Sequence, residues 1–227
     1  MSAAPQPNFV SLGLLLGIPD IALDEMFWQK ACELRVAVPA VVTSVGNLAG
    51  VQTVTVQPAV QENQFQNLVP TPVSLPALPD VAVLVYGAGG FVITLPIAVG
   101  DECLVVFTDM CYNAWWVAGG TINNQEERRR HDLSDGIAIF GLWSNPRAIA
   151  NYTTNALEVR SLDGNTFIQM KSGQVVITPD NGTTQIAITP GNISLTATVI
   201  DINGTSYHAH IHSGVTTGAG VTGPITP

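Results

Sequence analysis

Hydrophobic and polar positions fall into three regimes along the chain. Behind Asp20, a capping residue type, Ile21, Leu23, Met26, Phe27 and Leu34 recur at helical spacing, so a short N-terminal helix is expected over residues 20–35. From Val36 the period becomes that of extended chain. Residues 36–42, 52–57, 81–85, 91–95 and 103–108 read as strands, with a stretch punctuated by Pro70, Pro72, Pro76 and Pro79 among them. Gly87-Ala88-Gly89-Gly90 lies between two of these runs and reads as a hairpin turn, because a phosphate loop would open a helix. About five short strands in roughly 85 residues predict a small barrel of the oligonucleotide/oligosaccharide-binding (OB) type, with a sandwich fragment as the alternative.

The third regime is a repeat. Gly164, Gly173, Gly182 and Gly191 stand nine residues apart, and so do Val159, Ile168, Ile177, Ile186 and Leu195. The last four of these each have an apolar partner two residues away, in Met170, Val175, Ile188 and Ile193. Each repeat is thus a short strand and a turn. A ribbon built this way has open edges and one apolar face that it cannot bury alone. The chain could coil as a solenoid or wind with two further copies; so few repeats favour an intertwined trimer.

Between barrel and repeats, residues 122–155 read as a connector. Its one basic cluster, Arg128-Arg129-Arg130, follows Glu126-Glu127 and reads as locally neutralised. His131-Asp132-Leu133-Ser134-Asp135-Gly136 contains the residue types of a catalytic triad, but they are neighbours in sequence and no GxSxG elbow accompanies them. Capping and turn hydrogen bonds are the expected use of these side chains. The resulting division is 1–35 docking segment, 36–121 barrel, 122–155 connector, 156–204 β-helix and 205–227 tip.

Composition narrows the function. Only 11% of the 227 residues are charged and the net charge is −9, which excludes a nucleic-acid surface built on clustered Lys and Arg. So little charge in a chain that is 46% hydrophobic fits an obligate oligomer, whose interfaces resemble a divided core. Cys32, Cys103 and Cys111 form no CxxC pair, so neither a disulfide framework nor a zinc knuckle is implied, and Cys103 reads as a packed thiol. No apolar run reaches membrane-span length, and residues 9–18 lack the flanks of a secretion signal. Trp115, Trp116 and Trp143 read as packing anchors, with sugar stacking as the alternative use.

The strongest candidate chemistry is at the end of the chain. His208, His210 and His212 alternate through Tyr207-His208-Ala209-His210-Ile211-His212, and in a strand they share one face. Such a row either coordinates metal or stands as exposed or stacked imidazoles without it. Were three chains to meet on an axis, two histidines from each would supply six nitrogens, a set suiting octahedral iron better than four-coordinate zinc.

These residues together resemble the central spike protein of contractile-tailed bacteriophage baseplates. The resemblance is carried by His210-Ile211-His212-Ser213-Gly214-Val215 and the Gly218, Gly220, Thr222, Gly223, Pro224 tail. It extends through Leu95-Pro96-Ile97, Gly100-Asp101, Phe107-Thr108-Asp109 and Trp115 in the barrel, and covers roughly residues 35–227. It implies an all-β homotrimer: an OB-type domain, then an intertwined triple-stranded β-helix tapering to a tip where His210 and His212 hold one iron ion per trimer. The additional His208 leaves a His208–His210 pair open. It implies a non-enzymatic virion protein that docks on tail hub and baseplate proteins by its N-terminal end. Sheath contraction would drive its tip through the host outer membrane. The competing expectation is an oligomeric OB-type module that binds a glycan or protein on a β-stalk. A metal-dependent enzyme fits least, since six histidines leave no position for substrate.

Overall fold

The computed structural model describes residues 23–207, apart from 25, 29, 32, 33, 47, 67, 68 and 203. The chain divides into two compact units, Met1–Ala148 and Ile149–Pro227. Residues 23, 24, 26–28, 30 and 31 are helical, inside the expected N-terminal helix. Asp20, Cys32 and the rest of the docking segment up to residue 22 lie outside the described residues.

In the first unit the strands are β1 (Ala37–Val45), β2 (Thr53–Pro58), β3 (Glu62–Gln66), β4 (Val69–Val73), β5 (Leu78–Val83), β6 (Tyr86–Ala88), β7 (Phe91–Ile93), β8 (Glu102–Phe107) and β9 (Gly136–Phe140). Five of them close a barrel in the order β1-β2-β5-β9-β8, while β3–β4 and β6–β7 are separate hairpins. Every barrel pair is antiparallel except β5 with β9, and this order with its one parallel pair is OB-like. Closure leaves no free sheet edge.

Alternation fills the interior. Val38, Ala40 and Val42 of β1, Val54 and Val56 of β2, and Cys103, Val105 and Phe107 of β8 point into one core with Leu78, Val81 and Ala138. Two bulges bend the strands around it. Val42 and Ser44 pair with the adjacent residues Val56 and Thr55, so Thr43 is extra in β1; beyond it the inward position shifts to Val45. In β5, three steps from Leu78 to Val81 face two on β2, and Asp80 there has φ of 51°.

The fifth barrel strand corrects the expected organisation. Residues 91–95 supply β7 of a hairpin arm, and the barrel is completed by Gly136–Phe140, within the stretch read as connector. The barrel therefore extends to Phe140 instead of ending at residue 121. Its interior there is narrow, and small residues line it: a Cβ on Gly136 would lie 2.8 Å from Val105 Cγ1 and 3.5 Å from Phe107 Cε1. A five-residue helix, Asn113–Val117, is a further feature that the strand pattern did not announce.

The second unit is a ribbon. β10 (Leu157–Arg160), β11 (Phe167–Lys171), β12 (Gln174–Thr178), β13 (Gln185–Thr189) and β14 (Asn192–Thr196) form an antiparallel sheet in sequence order, followed by a small hairpin of β15 (Asp201–Ile202) and β16 (Thr205–Ser206). The repeat strands pair with one another within the chain. Gly164, Gly173, Gly182 and Gly191 all have positive φ, between 74° and 93°, which explains their recurrence at the turns. Gly136→Ala is expected to destabilise the barrel by about 1–3 kcal/mol through overpacking. Chemical denaturation of the two proteins measures the difference, and equal midpoints would contradict the packing described.

Candidate functional site

Ribbon register converts the nine-residue period into geometry. Val159 pairs with Ile168, Ile168 with Ile177, Ile177 with Ile186, and Ile186 with Leu195, so the five residues form one row across the sheet. Leu157, Met170, Val175, Ile188 and Ile193 form a second row by the same pairings. Side chains two residues apart share a face, so all ten apolar residues lie on one side. Nine of the ten are at least 40% exposed. The opposite side carries Glu158, Gln169 and Ser194, with Val176 and Thr178 buried. Exposed apolar patches of this extent are the kind that mark interaction surfaces in folded proteins.

Polar turns hold the ribbon in shape. The two longer turns, residues 161–166 and 179–184, are joined where Asn181 N donates to Asn165 O at 2.6 Å and Thr166 Oγ1 to Pro179 O at 2.8 Å. Thr178 Oγ1 donates to Thr184 O at 2.7 Å and accepts from Gly182 N at 2.8 Å. The Thr184 backbone N–H, 2.6 Å away, holds the Asp180 carboxyl below its ordinary 3.8. The Ser161 hydroxyl and the Asn165 N–H do the same for Asp163, and Thr153 with Gln169 for Glu158.

In the barrel unit the connector residues latch its base. Asp135 is fully buried and receives both Arg129 Nε, at 2.6 Å, and Nη2, at 3.0 Å. Glu127 Oε2 takes a third Arg129 N–H at 2.6 Å, so the guanidinium is held firmly charged. Arg130 pairs instead with Asp109 at 2.6 Å. Asp132 Oδ1 accepts the Ser134 N–H at 2.9 Å, which lowers its pKa, and His131 Nδ1 donates to the Arg35 carbonyl at 3.1 Å. The Asp132–Ser134 contact is a turn bond of the kind expected of the segment, whereas the His131 bond reaches a residue 96 positions away. The neutralised basic cluster has two partners that its neighbours Glu126 and Glu127 did not disclose, Asp109 and the buried Asp135.

Cys103 is buried, its thiol pushed up to about 11 by desolvation, and Cys111 is a second buried free thiol. Tyr112 packs edge-on against Trp116, with ring centroids 6.2 Å apart, and Trp115 is about half exposed. Trp143 is also partly exposed, so none of the three tryptophans is a fully packed anchor. Among the described residues no group of three or more His, Cys, Asp or Glu side chains is placed to hold a metal ion. His208, His210 and His212 lie outside the described residues. No described helix is long and apolar enough to cross a membrane.

The described residues thus form a closed five-stranded OB-like barrel joined in sequence to a repetitive β-ribbon. Residues 38–141 match the family described as phage protein Gp138 N-terminal domain, a span running from within β1 to just past β9. This match supports a phage virion protein. It takes in less than half of the 227 residues and leaves out the ribbon. No curated protein matches the chain.

Because the Glu158, Asp163 and Asp180 carboxyls are lowered, their stabilisation is complete above the ordinary 3.8–4.5 and is lost as pH falls through the folded values. Asp180→Asn should therefore lower the Tm at pH 7, with the gap from the unaltered protein shrinking toward pH 3. Thermal melts by circular dichroism measure it, and a gap independent of pH would contradict the assignment.

Proposed function

We propose that the chain is the central spike of a contractile phage tail: a homotrimer that pierces the host outer membrane when the sheath contracts. The observation that carries this reading is the double apolar row of the ribbon. Nine large apolar side chains exposed to this degree present an area comparable to the roughly 800 Å² per partner of a stable interface. Their strict period gives every strand the same side to bury, which suits identical partners winding about one axis as a triple-stranded β-helix. The phage domain over residues 38–141 supports a virion setting.

In this arrangement the residue 205–227 end is the tip. His210 and His212 from three copies offer six imidazole nitrogens, a donor set that fits iron, with His208–His210 as the competing pair. The metal would tie three chain ends together. Residues 1–35 dock on hub and baseplate proteins, leaving the opposite end to lead. Shafts of this kind resist bending because paired strands leave few edges to open. The reading assigns no catalytic role.

Elemental analysis of the purified full-length protein tests the tip. The expected result is one iron per three chains, retained against chelator and lost in His210→Ala and His212→Ala. Metal-free protein of trimer mass would remove the site assignment. Loss in His208→Ala with retention in His212→Ala would move the site to the other pair.

A further inference from the structure

The barrel unit exposes an apolar surface of its own. From Val81 to Gly100 the sequence contains no Asp, Glu, Lys, Arg or His. Within this run β6 and β7 form an arm of three-residue strands. Such a small hairpin is marginal in water unless something packs on it. Yet Tyr86, Phe91, Val92, Ile93, Leu95 and Val99 are each more than half exposed.

The arm's shape is specified. A Cβ on Gly87 would meet Val92 Cγ1 at 2.7 Å and the Phe91 carbonyl at 2.9 Å, so only glycine lets β7 cross there. Gly89 and Gly90, with φ of 60° and 86°, make the turn. The return segment is pinned to β1: Gly100 N donates to Val42 O at 2.8 Å, and Val42 N to Asp101 O at 2.9 Å. Beside the arm lies an apolar cleft lined by Leu48, Val83, Val85, Ile97 and Phe140. An apolar knob and an apolar cleft thus stand side by side on a closed barrel.

We propose that this charge-free face is an interface between the barrels of neighbouring copies of the chain. Together with Leu84 and Val85, its exposed side chains offer about the 800 Å² per partner that a stable interface buries. Charge selects the occupant. Asp80, Asp101 and Glu102 flank the run and the chain carries a net charge of −9, so an anionic lipid surface repels it. Another copy carries the same acidic flanks, but the face it brings into contact has no charge, whereas an anionic lipid surface brings its charges to the contact itself. The proposal rests on the trimeric reading, in which the ribbons hold three barrels at high effective concentration and a weak contact suffices.

The test uses the full chain with Cys32→Ser and Val92→Cys, the remaining Cys103 and Cys111 being buried. Maleimide labelling is timed on the native protein and in urea, with mass measured on the same sample. The expected result is trimer mass with native labelling at least about tenfold slower than in urea. A trimer whose Val92→Cys thiol labels as fast as in urea overturns this proposal alone. Protection that appears only with phosphatidylcholine vesicles assigns the face to lipid and also overturns it. A monomer mass removes the trimeric reading itself.

Discussion

The ribbon cannot bury its own apolar side. Ten side chains from Leu157 to Leu195 line one face of a single-layer sheet, and among the described residues no second layer covers them. The three inner strands are hydrogen-bonded on both sides and only β10 and β14 keep an open edge, so the larger unmet requirement is apolar burial, the dominant favourable term in folding and association. The functional reading depends on how that requirement is met. In the proposed trimer, three copies turning the rows toward a common axis would satisfy it along the whole length, with the polar turns left to water.

The barrel solves its problem differently. Closure through β9 removes every edge and buries Ala40, Val42, Val54, Val56, Cys103 and Val105 almost completely. What remains outside is a pinned, charge-free arm that adds nothing to that core. The Arg129–Asp135 pair ties the connector to the base of the barrel, and losing one partner would strand a buried charge, at a cost of about 3–5 kcal/mol. The two units thus differ in kind. One closes its core within a chain and keeps an exposed surface patch, and the other is a single-layer sheet with one apolar face uncovered by described residues.

The ribbon was legible because its information is periodic. Turn centres nine residues apart force residues of the same phase into one cross-strand row, and glycines at positive φ mark each turn. The partner residues even alternate in direction: Met170 follows Ile168, Val175 precedes Ile177, Ile188 follows Ile186 and Ile193 precedes Leu195. That alternation is the mark of antiparallel hairpins. Four of the five barrel strands were visible by alternation and apolar runs. β9 was not, because it is short, follows a polar stretch and points small residues, Gly136 and Ala138, inward. Its pairing with β5 and β8 is long-range, and no local turn announces it. Asp135 as the partner of Arg129 was hidden for a related reason: burial is a property of the closed barrel. The histidine row was the plainest chemical signal in the sequence, and it lies beyond the described residues.

The most direct measurement is the mass of the unaltered full-length protein in solution, by sedimentation equilibrium across a range of concentrations. The account predicts a single species of three times the 23.9 kDa chain mass that persists on dilution. A stable monomer with its ribbon folded would contradict it.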